Sequence, residues 1–192
     1  MLTESAGRWL LVLHTALGVA AVGAATHLVV WLRPYLRGKF NRHAAVRKFA
    51  WIALTLHATG FLVGNVMYPT YRVEVRAAYF ETTTAVTADL ASRQAELAKV
   101  ARKEGADVPD RGAPQELARQ AGKATRWFDV KEHWVVLGLF GSAALVLMLA
   151  FWDPRRDGAA LVPIVFGLAA IVAGTLWFAA IVGVMTSAWR AI

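Results

Sequence analysis

Four long stretches of this chain contain no Asp, Glu, Lys or Arg. They cover 9–32, 49–68, 134–152 and 159–189, which is 24, 20, 19 and 31 residues. About 20 apolar residues carry a helix across a hydrocarbon layer. Inside that layer the backbone has no water to bond, so each stretch is expected to be α-helical. Only 18% of the 192 residues are charged, against about a quarter in soluble domains. The expected fold is all-α, an integral membrane four-helix bundle with an extramembrane helical hairpin between helices 2 and 3. Residues 1–68 form spans one and two with a basic loop, 69–132 the hairpin, and 133–192 spans three and four. The first stretch reads as a span rather than a cleaved leader, because Glu4 offsets Arg8 ahead of it and 24 apolar residues exceed a signal-peptide core.

The loop 33–48 carries Arg33, Arg37, Lys39, Arg42, Arg47 and Lys48 and no acid. Basic residues beside span ends set topology, so this loop should face the cytoplasm of a bacterial-type plasma (inner) membrane, with both termini outside. The net charge of +8 gathers largely there, beside membrane lipid, and does not point to nucleic acid. His43, in the same loop, is expected to be solvated. Segment 69–132 balances eleven basic against ten acidic residues. Tyr79, Val86, Leu90, Leu97 and Ala101 recur near helical spacing and predict a helix over 77–104. A breaker cluster follows at 105–113. Pro114 then opens a second helix with Leu117, Ala121, Ala124 and Phe128 on one face. The second span is expected to end at Pro69, and Asp129 with Glu132 to cap the third.

Cysteine is absent, which excludes disulfides, thiolate metal sites and dithiol redox chemistry. Chemistry inside the spans therefore falls to histidine: His14, His27 and His57 lie within them and His133 at an edge. Ionisable groups are costly in a membrane and tend to mark function. By depth they form two pairs, His27 with His57 toward the basic loop and His14 with His133 toward the other face. Two neutral imidazoles from facing helices can clamp a haem iron, and a bundle core can house such a cofactor. Gly18, Gly23, Gly60, Gly167 and Gly174 would let a flat macrocycle approach, or serve ordinary helix packing. Arg33, Tyr35 and Arg47 on one side, and Arg72, Arg76, Arg126 and Lys131 on the other, are candidate propionate partners.

This arrangement resembles the di-haem b-type cytochromes of respiratory membranes. The resemblance rests on His14, His27, His57 and His133 and covers the four spans. It implies haem b, two per chain or one held by His27 and His57, and quinone. It also implies other membrane subunits or a redox protein as partners, in a non-catalytic electron-transfer subunit of an oxidoreductase. Thirteen residues leave His14 and His27 about 140° apart around their helix, so each would approach the core from a different edge. The alternative is a cofactor-free structural or assembly subunit. Ion-coupled transport is disfavoured, because no acid lies in any span.

Overall fold

The computed structural model describes residues 3–105, 107 and 114–189. Helix α1 (Glu4–Leu32) opens on Thr3, whose hydroxyl accepts from the Ala6 amide at 3.4 Å. A 3-10 turn, Arg33–Arg37, follows with Pro34 in its first turn, and Gly38 closes it at φ 71°. Then come α2 (His43–Thr70), a π-helical segment (Tyr71–Phe80), α3 (Thr83–Glu104), α4 (Pro114–Phe151) and α5 (Val162–Trp189). No strand occurs among the described residues.

Four helical runs, Ser5–Arg37, His43–Phe80, Arg119–Phe151 and Val162–Ser187, are long and apolar enough to cross a membrane. Their outward faces are apolar too: Phe151, Trp9 and Phe140 are 80%, 75% and 70% exposed. A continuous surface of that kind suits lipid rather than water. Helix α1 lies beside α2 and α5, and α4 beside the same two. The four close into a ring in which every neighbour runs antiparallel.

Lipid tails are as apolar as leucine, so close packing rather than water exclusion holds such helices together. Small residues supply it. Gly60 meets Leu17, Gly64 meets the His14 ring, Gly141 meets Val172, and Gly138 meets Thr175. Toward the basic loop the core fills with larger groups, with Leu28, Leu32, Val46, Leu145, Leu149 and Val165 buried together. A separate cluster of Tyr79, Phe80, Val86 and Ala121 seats α3 on the π-helical segment and α4 at the far end.

Three sequence expectations change. The second span does not end at Pro69, which sits inside α2. Proline lacks an amide donor and crowds the carbonyl four residues earlier. The helix resumes from Tyr71 in wider π-type turns, as in the bond from the Glu81 amide to the Arg76 carbonyl at 2.9 Å. The helix predicted over 77–104 therefore begins at Thr83, and residues 77–80 finish the preceding run. Asp129 and Glu132 cap nothing, because α4 passes through them unbroken. Asp129 instead takes the Arg76 guanidinium in two bonds of 2.7 and 3.2 Å. The predicted break at 105–113 begins as expected, with Gly105 at φ 65° ending α3. Its remainder, apart from Asp107, lies outside the described residues, as does the side chain of Leu117.

The connector after α4 folds on itself. Asp153 accepts from the Arg155 amide at 3.0 Å and from its guanidinium at 2.9 Å, and these bonds hold its carboxyl down at about 2. A depressed carboxylate contributes stability above its unfolded value of about 3.9, and the contribution is lost as pH falls through the folded value. Between pH 4 and 2, thermal melting in detergent should therefore fall more steeply for the wild type than for Asp153→Asn. A Cβ at Gly138 would sit 2.6 Å from Thr175 Cγ2, and a β-branched neighbour yields little. Gly138→Ala is thus expected to cost about 1–3 kcal/mol in the same assay, whereas Gly167→Ala, which meets open space, should not lower melting, since alanine is the better helix former.

Candidate functional site: histidines in the bundle core

His57 projects from the middle of α2 into the core and is 3% exposed. Its Nδ1 lies 3.1 Å from Ser142 Oγ on α4. The single hydroxyl proton of Ser142 goes to the Gly138 carbonyl at 2.9 Å, so Nδ1–H of His57 donates to the serine oxygen. The neutral ring then carries its lone pair on Nε2, which makes no hydrogen bond of regular geometry, with the Val135 backbone close by. Gly138 makes room for the ring, since a Cβ there would stand 3.2 Å from His57 Cε1. One turn pattern on α4 thus provides a gap at residue 138 and an anchor at 142.

His14 enters the same part of the core from α1. Its Nδ1 donates to the Gly60 carbonyl at 3.0 Å, and its Cε1 lies 3.1 Å from where a Gly64 Cβ would be. His57, Gly60 and Gly64 share one face of α2, because seven residues return nearly to the same face of a helix. His14 and His57 therefore both address the far half of the core, through rings anchored at Nδ1.

The other two span histidines point elsewhere. His27 is exposed on the outside of α1, with its ring centroid 4.5 Å from Trp31 and 5.1 Å from Phe49. His133 is exposed on α4, and its Nδ1 donates back to the Asp129 carbonyl at 2.8 Å. The packing of Leu17 on Gly60 sets the stagger of α1 and α2, and puts His57 level with about residue 20 of α1. His27 lies seven residues further on, or about 10 Å along the axis, and His14 about 9 Å the other way. The ring expected beside His57 is thus at a different level and faces outward. His14 and His133 do share a level, with His133 turned away from the core.

Arg33 and Arg47 are exposed at the basic-loop end, and Arg72 and Arg126 at the far end. His43, expected to be solvated, is 3% exposed. It starts α2, and its Nδ1 meets the Tyr35 hydroxyl at 3.0 Å beneath the 3-10 turn. The Trp152 ring stands edge-on at 6.4 Å. Reading 33–48 as one loop hid this, since the first turns of α2 lie within it.

Lys131, expected as a polar group at the far interface, is placed differently. Counted with the polar segment, it turns inward from α4, its Nζ 4.3 Å from the Phe128 ring centroid and 3.9 Å from the position of a Gly183 Cβ. Tyr71 stacks on the other side at 4.1 Å from Phe128. The signal was periodic: Lys131, Val135, Gly138 and Ser142 recur at helical spacing on one face. Among the described residues no three imidazoles or carboxylates converge as a metal-ion site.

No family model matches the chain, and no curated protein or solved structure is significantly similar to it.

The anchoring of His57 is open to a direct check. Ser142→Ala leaves both imidazole nitrogens buried without regular hydrogen bonds, at an expected cost of about 1–3 kcal/mol. Thr15→Ala removes a similar hydroxyl bond, to the Leu11 carbonyl on the exposed face. It should change melting in detergent by less than about 0.5 kcal/mol.

Proposed function

We propose that this chain is a membrane b-type cytochrome subunit, with a haem carried in the far half of the bundle. The observation that carries the reading is His57: Nδ1–H is held by Ser142 and the lone pair on Nε2 is buried with no hydrogen bond of regular geometry. A metal-ligating histidine is arranged in this way, one nitrogen fixed by a hydrogen-bond acceptor and the other free for the metal. His14 is held at Nδ1 by the Gly60 carbonyl in the same way but stands about 9 Å along the axis from His57. His57 is therefore the ligand for haem iron and His14 a polar neighbour of the macrocycle. Gly60, Gly64 and Gly138 offer bare backbone beside them. Haem supplies one-electron transfer when bound. Ser142 and the Gly60 carbonyl set the tautomer of each ring and hold it against rotation. The Leu and Val cluster toward the basic loop excludes water from that side of the core.

In this reading the basic loop faces the cytoplasm, and both termini lie on the opposite side of a bacterial-type plasma membrane. Helix α3 and the polar start of α4 then stand outside the membrane as a docking arm for a redox protein or a further subunit. The clasp of Arg76 with Asp129 and Glu81, at 2.7 Å to each, ties that arm to the second span. Quinone is a candidate partner for the electron.

One observation favours the alternative of a cofactor-free assembly subunit. Helices α4 and α5 touch at Gly138 and Thr175 closely enough that a methyl group would not fit. The dithionite-reduced minus oxidised spectrum of protein purified from haem-replete cells separates the two. The cytochrome reading expects a b-type α-band, lost in His57→Ala and diminished or shifted in His14→Ala, but kept in His27→Ala and His133→Ala. A spectrum with no α-band, or an unchanged one in His57→Ala, overturns it in favour of the assembly subunit.

A further inference from the structure

The basic-loop end of the bundle holds a cleft that the proposed electron transfer does not use. Trp31, Pro34, Tyr35, Lys39, Asn41 and Arg42 line it, around a volume of about 290 Å³. It forms because the 3-10 turn stops at Gly38, whose positive φ swings Lys39 back toward the end of α1. Arg42 stands over the Trp31 ring, its guanidinium carbon 5.8 Å from the centroid. That contact keeps the cation at the mouth of the cleft.

Among the described residues no carboxylate forms an ion pair with Lys39 or Arg42. The loop 33–48 contains no acid. On the neighbouring α4–α5 connector, close to Tyr35 and His43, Asp153 and Asp157 are already engaged by Arg155 and Arg156, at 2.9 and 2.8 Å. Above the cleft Trp31 continues into an aromatic strip with Phe49 and His27, their ring centroids 4.5–5.1 Å apart. His27 is exposed on this strip and Trp31 and Phe49 are half-buried. Two cations and an amide therefore sit at a membrane-helix end, directly below an outward-facing aromatic surface.

We propose that this cleft is a binding site for an anionic phospholipid. Its phosphate lies between Lys39 and Arg42 with Asn41 as a further donor, and an acyl chain runs over Trp31, Phe49 and His27. Charge complementarity selects the anionic headgroup, and the adjoining aromatic strip selects a lipid over a free phosphate. The assignment also accounts for His27, exposed on that strip with its ring against Trp31 and Phe49. It stands independently of whether the core holds haem.

Native mass spectrometry of the full chain, released from detergent with phosphatidylglycerol or phosphatidylcholine, tests it. Phosphatidylglycerol should be retained on the order of tenfold better than phosphatidylcholine, since basic residues beside an anionic lipid each favour it several-fold. Lys39→Gln combined with Arg42→Gln should lower that retention on the order of tenfold. Arg47→Gln with Lys48→Gln removes the same charge outside the cleft and should lower it little, and excess inorganic phosphate should not displace the lipid. Equal retention of the two lipids overturns the proposal, as does an equal loss in the Arg47/Lys48 variant, which would mean diffuse attraction by the loop. Displacement by phosphate alone overturns the lipid assignment in favour of a simple anion site. Both double variants change exposed side chains, and unchanged melting confirms that each is folded.

Discussion

Hydrocarbon offers a polar group no partner, so any imidazole on a membrane helix must be satisfied by the protein or be exposed where something else can satisfy it. Much of the architecture here follows from that demand. His14 reaches the carbonyl of Gly60, and reaches it because Gly60 and Gly64 let α1 and α2 approach. His57 reaches Ser142, and the bare backbone at Gly138 admits its ring. Tyr35 bonds His43 at Nδ1 beneath the 3-10 turn, while His43 Nε2 is buried without a regular bond of its own. The same small residues that pack the helices thus also accommodate the polar side chains, and a change at one acts on both.

The division of the core follows from the same economy of space. Toward the basic loop, leucines and valines fill the interior around the buried Tyr35 and His43. Toward the far end, glycine, alanine and serine narrow the bundle and admit His57, His14 and Lys131. An imidazole whose second nitrogen lacks a regular hydrogen bond is stable there only because the first is firmly held. That leaves one lone pair in a dry place, which is the chemical basis for assigning a haem ligand.

The four spans were legible because absence of charge over about 20 residues is a strong signal that tertiary contacts rarely override. The stagger between spans was not. Depth was counted from where charges stop, yet Arg47 and Lys48 belong to the opening turns of α2, and long basic side chains reach the membrane surface from below it. Counting from residue 49 therefore set His57 beside His27, whereas the contact of Leu17 with Gly60 sets it about 10 Å away. Direction was half legible: the 140° between His14 and His27 already required different faces, and the structure turns one inward and the other outward. Pro69 misled because proline was taken as an end, when a π-helical continuation accommodates it. Lys131 was expected at the polar interface, whereas its helix face turns it inward toward Phe128.

Helix α4 is one unbroken run of 38 residues, about 57 Å at 1.5 Å per residue. Its first turns carry the surface against which α3 packs, its middle carries the Arg76–Asp129 clasp, and the same rod ends beside His43. A stiff rod of this length behaves as a lever pivoting where Gly138 meets Thr175. Force applied to the polar arm would arrive in the core as a small tilt of Ser142, the group that fixes His57. Whatever bound the polar arm would then share a mechanical linkage with the imidazole in the core, with no moving loop between them.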